Sequence, residues 1–171
     1  KKCKGTGRVP KKRVVSVRIP PGVHEGQAIR VASEGEPGKG GGPNGDLYCY
    51  VKIQRHQFLE RDGNNLTVTV PVTMTDAALG ATIQVPSLNG VKSLKIPSGS
   101  QSGNIFRIRG AGLPDIRTKR TGDQLVQIMV EIPVKLNSKQ KEALNDFSKL
   151  EGKSTCPQTR DFNKKIERYS R

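Results

Sequence analysis

Few residues in this chain have a type and spacing that could do chemistry. There are two histidines, His24 and His56. General-base work needs a histidine beside a nucleophile or a reacting proton. His24 lies in a Pro-Gly turn, and His56 ends a strand-like run with no Ser or Cys that has a claim on it, so both read as surface turn residues. Asp46 and Asp123 stand in the same Gly-Asp context. A paired-carboxylate site is one reading, and an Asx-type turn that opens a strand is the simpler one. The loop Gly35-Glu36-Pro37-Gly38-Lys39-Gly40-Gly41-Gly42-Pro43-Asn44-Gly45 lacks the GxxxxGKS/T spacing and is not followed by a helix. That excludes a phosphate-binding P-loop. Cys3 opens Cys3-Lys4-Gly5-Thr6-Gly7, half of a zinc-knuckle pattern in which the glycines let backbone amides approach a metal-bound thiolate. A tetrahedral site needs four ligands. Cys49 sits in a strand and Cys156 in a polar linker, so neither has ligand spacing. If Cys3 is a ligand, its partners lie upstream of Lys1. No catalytic constellation emerges, and a non-enzymatic protein is expected.

The elements that carry these residues are organised by a repeat. Residues 17–46 align without a gap onto 94–123, an offset of 77, with nine of 30 positions identical. The identities are Ile19/Ile96, Pro20/Pro97, Gly22/Gly99, Gly26/Gly103, Arg30/Arg107, Gly35/Gly112, Pro37/Pro114, Gly45/Gly122 and Asp46/Asp123. Most are turn residues, so what repeats is a turn framework: strand, Pro-Gly turn, strand, long Gly/Pro loop, Gly-Asp turn, strand. Period-2 alternation marks the strands. Val15, Val17 and Ile19 share one face, Ile29 and Val31 flank Arg30, and Leu47, Cys49, Val51 and Ile53 alternate with Tyr48, Tyr50 and Lys52. In the second unit Leu94 with Ile96, Phe106 with Ile108, and the run Leu125 to Val130 play those parts. Leu66, Val68 and Val70 form a further strand. Thr75 to Leu79 reads as a helical turn capped by Thr75 or Asp76 and stopped by Gly80. The result is two small β-rich domains, about 10–88 and 89–150. Asn137 with Gln140 resembles a capping box for a helix carrying Ala143, Leu144, Phe147 and Leu150 on one side. Residues 151–160 read as a linker. Asp161 is placed to cap a last helix whose Phe162, Ile166 and Tyr169 recur at i, i+4 and i+7, a short element that needs a docking surface or a second subunit.

The 171 residues include 30 Lys+Arg and 15 Asp+Glu, a formal charge of +15, with 33% hydrophobic and 4% aromatic residues. So little apolar material argues against one large core. No apolar run approaches the length of a membrane span, and the basic start lacks the apolar stretch of a signal peptide. Three widely spaced Cys argue against a disulfide framework and for a reducing compartment. Residues 1–18 hold eight bases and no acid, whereas 19–91 hold five bases and seven acids. The excess sits at ends and loops without interleaved aromatics for base stacking. A basic nucleic-acid-binding β protein is therefore the alternative reading rather than the first.

Several segments together resemble the C-terminal half of DnaJ-type J-domain co-chaperones. They are Cys3 to Gly7, Val17-Arg18-Ile19-Pro20-Pro21-Gly22-Val23-His24-Glu25-Gly26-Gln27, Gly45-Asp46-Leu47, His56 with Phe58, Arg61, Asp62 and Gly63, Leu79-Gly80-Ala81, and Gly110-Ala111-Gly112-Leu113-Pro114. The likeness runs in order from residue 3 to about 150, and the tail resembles such proteins only loosely. It implies a mainly β chain of two tandem, similar β-sandwich domains with a short helix each and a C-terminal helical dimerisation tail. Residues 1–9 would be a zinc-finger remnant, 10–88 the client-binding domain, 89–150 the second domain, and 151–171 linker and tail. The resemblance further implies that unfolded polypeptides are held in a hydrophobic groove or at a sheet edge and passed to a DnaK-type ATPase chaperone in the cytoplasm. Groove positions match Val15 and Cys49, with Val17 and Val51 as same-face neighbours and Ile29 and Val31 nearby. Cys49 departs from the larger apolar residue common there. The same valines serve equally well as ordinary core. Phe162, Ile166 and Tyr169 would make the homodimer contact. Zinc would belong to the full-length protein, with Cys3 an incomplete half-site here and no cofactor in this segment. No membrane partner is expected.

Overall fold

A computed structural model describes residues 12–152 and 154–169. Cys3 and its glycines lie outside the described residues. The chain divides into two compact units at Val130/Glu131.

In the first unit, residues 12–20 have no regular secondary structure and join no ladder. Here the structure differs from the expected strand through Val15, Val17 and Ile19. Alternation prepares one face, but a strand exists only when its backbone finds a partner, and none of the described residues provides one. After the Pro-Gly turn, β1 (Ala28–Val31) pairs antiparallel with β2 (Leu47–Tyr50), with Ile29 opposite Cys49 and Val31 opposite Leu47. A two-residue turn at Gly63-Asn64 joins β3 (Glu60–Asp62) to β4 (Asn65–Thr73), which runs straight into α1 (Met74–Leu79). Helix α1 starts earlier than the sequence indicated. Thr73, not Thr75 or Asp76, caps it: its Oγ1 accepts from the Asp76 amide at 3.1 Å. Gly80, at φ 82°, stops it. The hairpin β5 (Ala81–Ser87) and β6 (Gly90–Ile96) follows, then β7 (Ile105–Ile108) and β8 (Gln124–Glu131).

Strands β3, β4, β8 and β7 form one sheet in that order. Leu66, Val68, Val70 and Val72 alternate inward along β4, as half-buried antiparallel strands do, and meet Ala77, Val85, Ile96, Val126 and Ile128 in the core. The boundary expected at 88/89 falls in the β5–β6 turn, and β3 and β4 before it share a sheet with β7 and β8 after it. Residues 59–130 thus pack as one body. The repeat flagged only 94–123, and the unrepeated stretch that completes the sheet precedes it. Among the described residues up to Val130 an α-helix occurs in this body alone; the first repeat has only a 3-10 turn at Lys39–Gly41.

The repeat holds in its second and third strands and in its turns. β1 and β7 are offset by 77 residues at both ends. Gly26 donates to the Val51 carbonyl and Gly103 to that of Ile128, both at 2.8 Å. The Asp46 carboxylate takes the Ser33 amide at 3.0 Å and the Arg30 guanidinium at 2.7 Å. Asp123 takes the Gly110 amide at 2.8 Å and lies 3.7 Å from Arg107. Each aspartate is thus committed to its own turn, and the two do not form a paired-carboxylate site.

In the second unit, α2 (Ser138–Leu150) carries the expected capping box. The Asn137 side chain accepts from the Gln140 amide and the Gln140 side chain from the Asn137 amide, both at 2.9 Å. Helix α3 (Pro157–Tyr169) begins earlier than Asp161, with proline in its first turn where no amide is needed. Asp161 instead faces Arg160 at 3.0 Å. No described helix is long and apolar enough to cross a membrane.

Candidate functional site

The register of β1 and β2 puts Ile29, Val31, Leu47 and Cys49 on one face, all half-buried. Val51 continues that parity, its amide donating to the Gln27 carbonyl at 3.0 Å. Val15 and Val17 are half-buried on the 12–20 segment, which an Arg13–Glu34 ion pair at 2.9 Å ties to the loop after β1. Of the six expected groove residues, register therefore unites Ile29, Val31, Cys49 and Val51. Val15 and Val17 lie on a run outside the ladder. On the opposite face Arg30 stands across from Tyr48 and Ala28 from Tyr50, with the tyrosines 53% and 75% exposed.

The second repeat supplies an internal comparison. The counterparts of Ile19, Cys49 and Val51 at the offset of 77 are Ile96, Val126 and Ile128, each 0% exposed, whereas Ile19 is 60% exposed. In the second repeat those three are enclosed in one core cluster with the partners Leu59, Leu66, Val68, Val70, Val72, Ala77 and Val85. All of these come from residues 59–85, ahead of the repeated segment. No described residues cover the first repeat in this way. The sheet edges differ as well: β4 occupies the second edge of β8, while the equivalent edge of β2 has no neighbour among the described strands. Ile19 was not among the six expected residues, and its identity with Ile96 is the sequence signal that exposes the contrast.

Neither histidine is simply a free surface residue. His56 Nδ1 accepts from the Phe58 and Leu59 amides at 3.2 and 3.1 Å, which folds the entry to β3. The His24 ring lies 3.0 Å from the Arg61 guanidinium, and since arginine can only donate, the ring nitrogen accepts. In the loop after Pro114, the Thr118 amide, the Asn64 side chain and the Thr118 hydroxyl hold the Asp115 carboxyl down at about 2. Asp115, the one acid among the seven bases of residues 92–120, is therefore engaged by its own loop and by Asn64.

Among the described residues no group of three or more His, Cys, Asp or Glu could hold a metal ion. On α3, Phe162, Ile166 and Tyr169 are 62%, 49% and 94% exposed, an apolar stripe without cover within its own unit.

Comparison with known proteins matches residues 2–133 to the family described as DnaJ C terminal domain. Over 168 residues the chain is 43% identical to the "Chaperone protein DnaJ" of Rhodopirellula baltica, covering 98% of this chain and 43% of that protein. The protein of the same name from Opitutus terrae is 45% identical over 167 residues, covering 98% of this chain and 44% of its own length. That of Parageobacillus thermoglucosidasius is 47% identical over 152 residues, covering 89% and 40%. The chain thus spans less than half the length of these relatives.

Proposed function

The chain belongs to the DnaJ C-terminal domain family, and on that premise we propose that it is the client-holding part of a non-enzymatic co-chaperone. The observation that carries this reading is the contrast between repeats: apolar positions that are sealed core in the second stay half-open in the first. An unfolded polypeptide in extended form would add to the β2 edge, since β4 holds the equivalent edge of β8. Main-chain bonds make such addition tolerant of sequence, and alternate client side chains would enter the face of Val15, Val17, Ile29, Val31, Cys49 and Val51. Family membership supports three further parts of this proposal: passage of the client to a DnaK-type ATPase chaperone, zinc in the full-length protein, and a cytoplasmic setting. We place the division between the domains at about residues 54–58, ahead of β3.

The test is Val15→Asp in the full-length protein. Suppression of aggregation of a denatured client should fall at least tenfold while the melting temperature stays within a few degrees. Undiminished holding would sink the groove assignment. A second reading is favoured by the same contrast: the face is core, covered by another segment of the longer protein. Val15→Asp would then unfold the first domain instead, because a buried unpaired carboxylate is costly.

The α3 stripe is proposed as the homodimer contact. Deleting residues 155–171 should convert dimers to monomers in sedimentation. Persistent dimers would refute the role of Phe162, Ile166 and Tyr169.

A further inference from the structure

Three motifs far apart in the sequence meet at one point of the first unit. They are the Pro-Gly turn of the first repeat, the β3–β4 turn, and the Gly110–Pro114 run of the second repeat. Arg61 on β3 is the common element. Its Nε donates to the carbonyl of Gly63 in its own hairpin turn at 2.8 Å, which sets the plane of the guanidinium. The two terminal nitrogens are then aimed at the other repeat. Nη1 donates to the Val23 carbonyl at 2.6 Å, and Nη2 to the Gly22 carbonyl at 3.0 Å and to His24 Nδ1 at 3.0 Å. A planar fork with fixed donor directions suits this better than a flexible ammonium, which offers one point of charge. Beside it the two backbones nearly touch: a Cβ at Gly22 would lie 1.9 Å from the Pro114 carbonyl oxygen.

We infer that Arg61 is a positioning residue that locks the Pro-Gly turn of the first repeat onto the β3–β4 hairpin, beside Pro114 of the second repeat, fixing the angle between the β1–β2 sheet and the four-stranded sheet. The covalent tie between the two bodies is residues 54–58, so their angle depends on non-covalent contacts such as these. The angle decides where the open face of the first repeat points, whatever that face binds, so the inference stands apart from the client reading.

The repeat provides the control. Gly22 and Gly99 are equivalent and both left-handed, at φ +85° and +76°, so alanine strains the backbone alike at either. Only Gly22 faces the other repeat; a Cβ at Gly99 meets nothing within 4 Å. Residual dipolar couplings of backbone amides in the 171-residue chain read the relative orientation. In the parent protein the β1–β2 amides and the β3–β8 amides should fit one alignment tensor. Arg61→Ala should require two tensors, with amide shifts inside each sheet retained, and Arg61→Lys should recover the single tensor only in part. Gly22→Ala should split the tensors and Gly99→Ala should not. One tensor in Arg61→Ala overturns the inference, and so does equal splitting by Gly22→Ala and Gly99→Ala. If Arg61→Ala fails to fold, the glycine pair decides alone.

Discussion

Val126→Asp is expected to unfold residues 59–130, whereas Cys49→Asp, the same position in the other repeat, is expected to leave a folded protein. Val126 is 0% exposed on β8, in one core cluster with Leu66, Val68, Val85 and Ile128. No donor stands within that apolar cluster to receive a carboxylate. An uncompensated buried charge costs about 3–5 kcal/mol or more, against a total domain stability of about 5–15 kcal/mol. Urea unfolding followed by circular dichroism should show the native baseline lost or the midpoint sharply reduced. At Cys49 the carboxylate keeps contact with water, because no described layer seals that face, and about 1 kcal/mol is the scale expected of an ordinary substitution. Equal destabilisation at the two positions would mean that the first face is sealed in the protein as it exists, and would favour the core reading over the groove.

Gly122→Ala should be nearly as damaging, and Gly45→Ala close to neutral. A Cβ at Gly122 would sit 2.1 Å from the Asn64 carbonyl oxygen and 2.5 Å from its carbon, whereas at Gly45 the nearest atom is the Glu36 carbonyl oxygen at 3.8 Å. The Asn64 carbonyl has no room to retreat. It accepts the Leu113 amide at 2.8 Å, and the Asn65 side chain beside it accepts the Asp123 amide at 2.8 Å. Backbone pressed on backbone cannot relax through a rotamer change, so overpacking of about 3 kcal/mol is expected. For a body of this size that lowers Tm by roughly 12–24 °C. Gly45→Ala should move it by only a few degrees. Scanning calorimetry of the two variants tests the difference, and similar melting temperatures would show that the Asn64 turn is free to move.

The two glycines also mark how far the sequence could be read. Both belong to a Gly-Asp turn, and the repeat revealed both, because a turn depends on a few adjacent residues. The same locality made the Asn137–Gln140 capping box and the ends of β1 and β7 legible. Helix starts were less so. The Thr73 cap and the start of α3 at Pro157 were misplaced because Thr, Asp and Pro recur within a few positions, and only the paths of the neighbouring chain choose among them. For Val15, Val17 and Ile19 the alternation was correct and the strand was still absent, since hydrogen bonds to a partner cannot be written into one strand alone. The candidate face was legible in parity but not in burial: Cys49 and Val126 look alike in sequence.

Composition, turn chemistry and the offset of 77 by themselves determined the β class and the repeated framework, and short motifs carried the resemblance to the family, because all of these reside in residues close together along the chain. The tertiary structure alone decided that β4 pairs beside β8, that 59–130 close one core while the first repeat's face stays half-open, and that Arg61 reaches across to Gly22 and Val23. Each of these depends on which distant segments come to lie side by side, and the free energy of those contacts depends on burial that no single segment possesses before the others are in place.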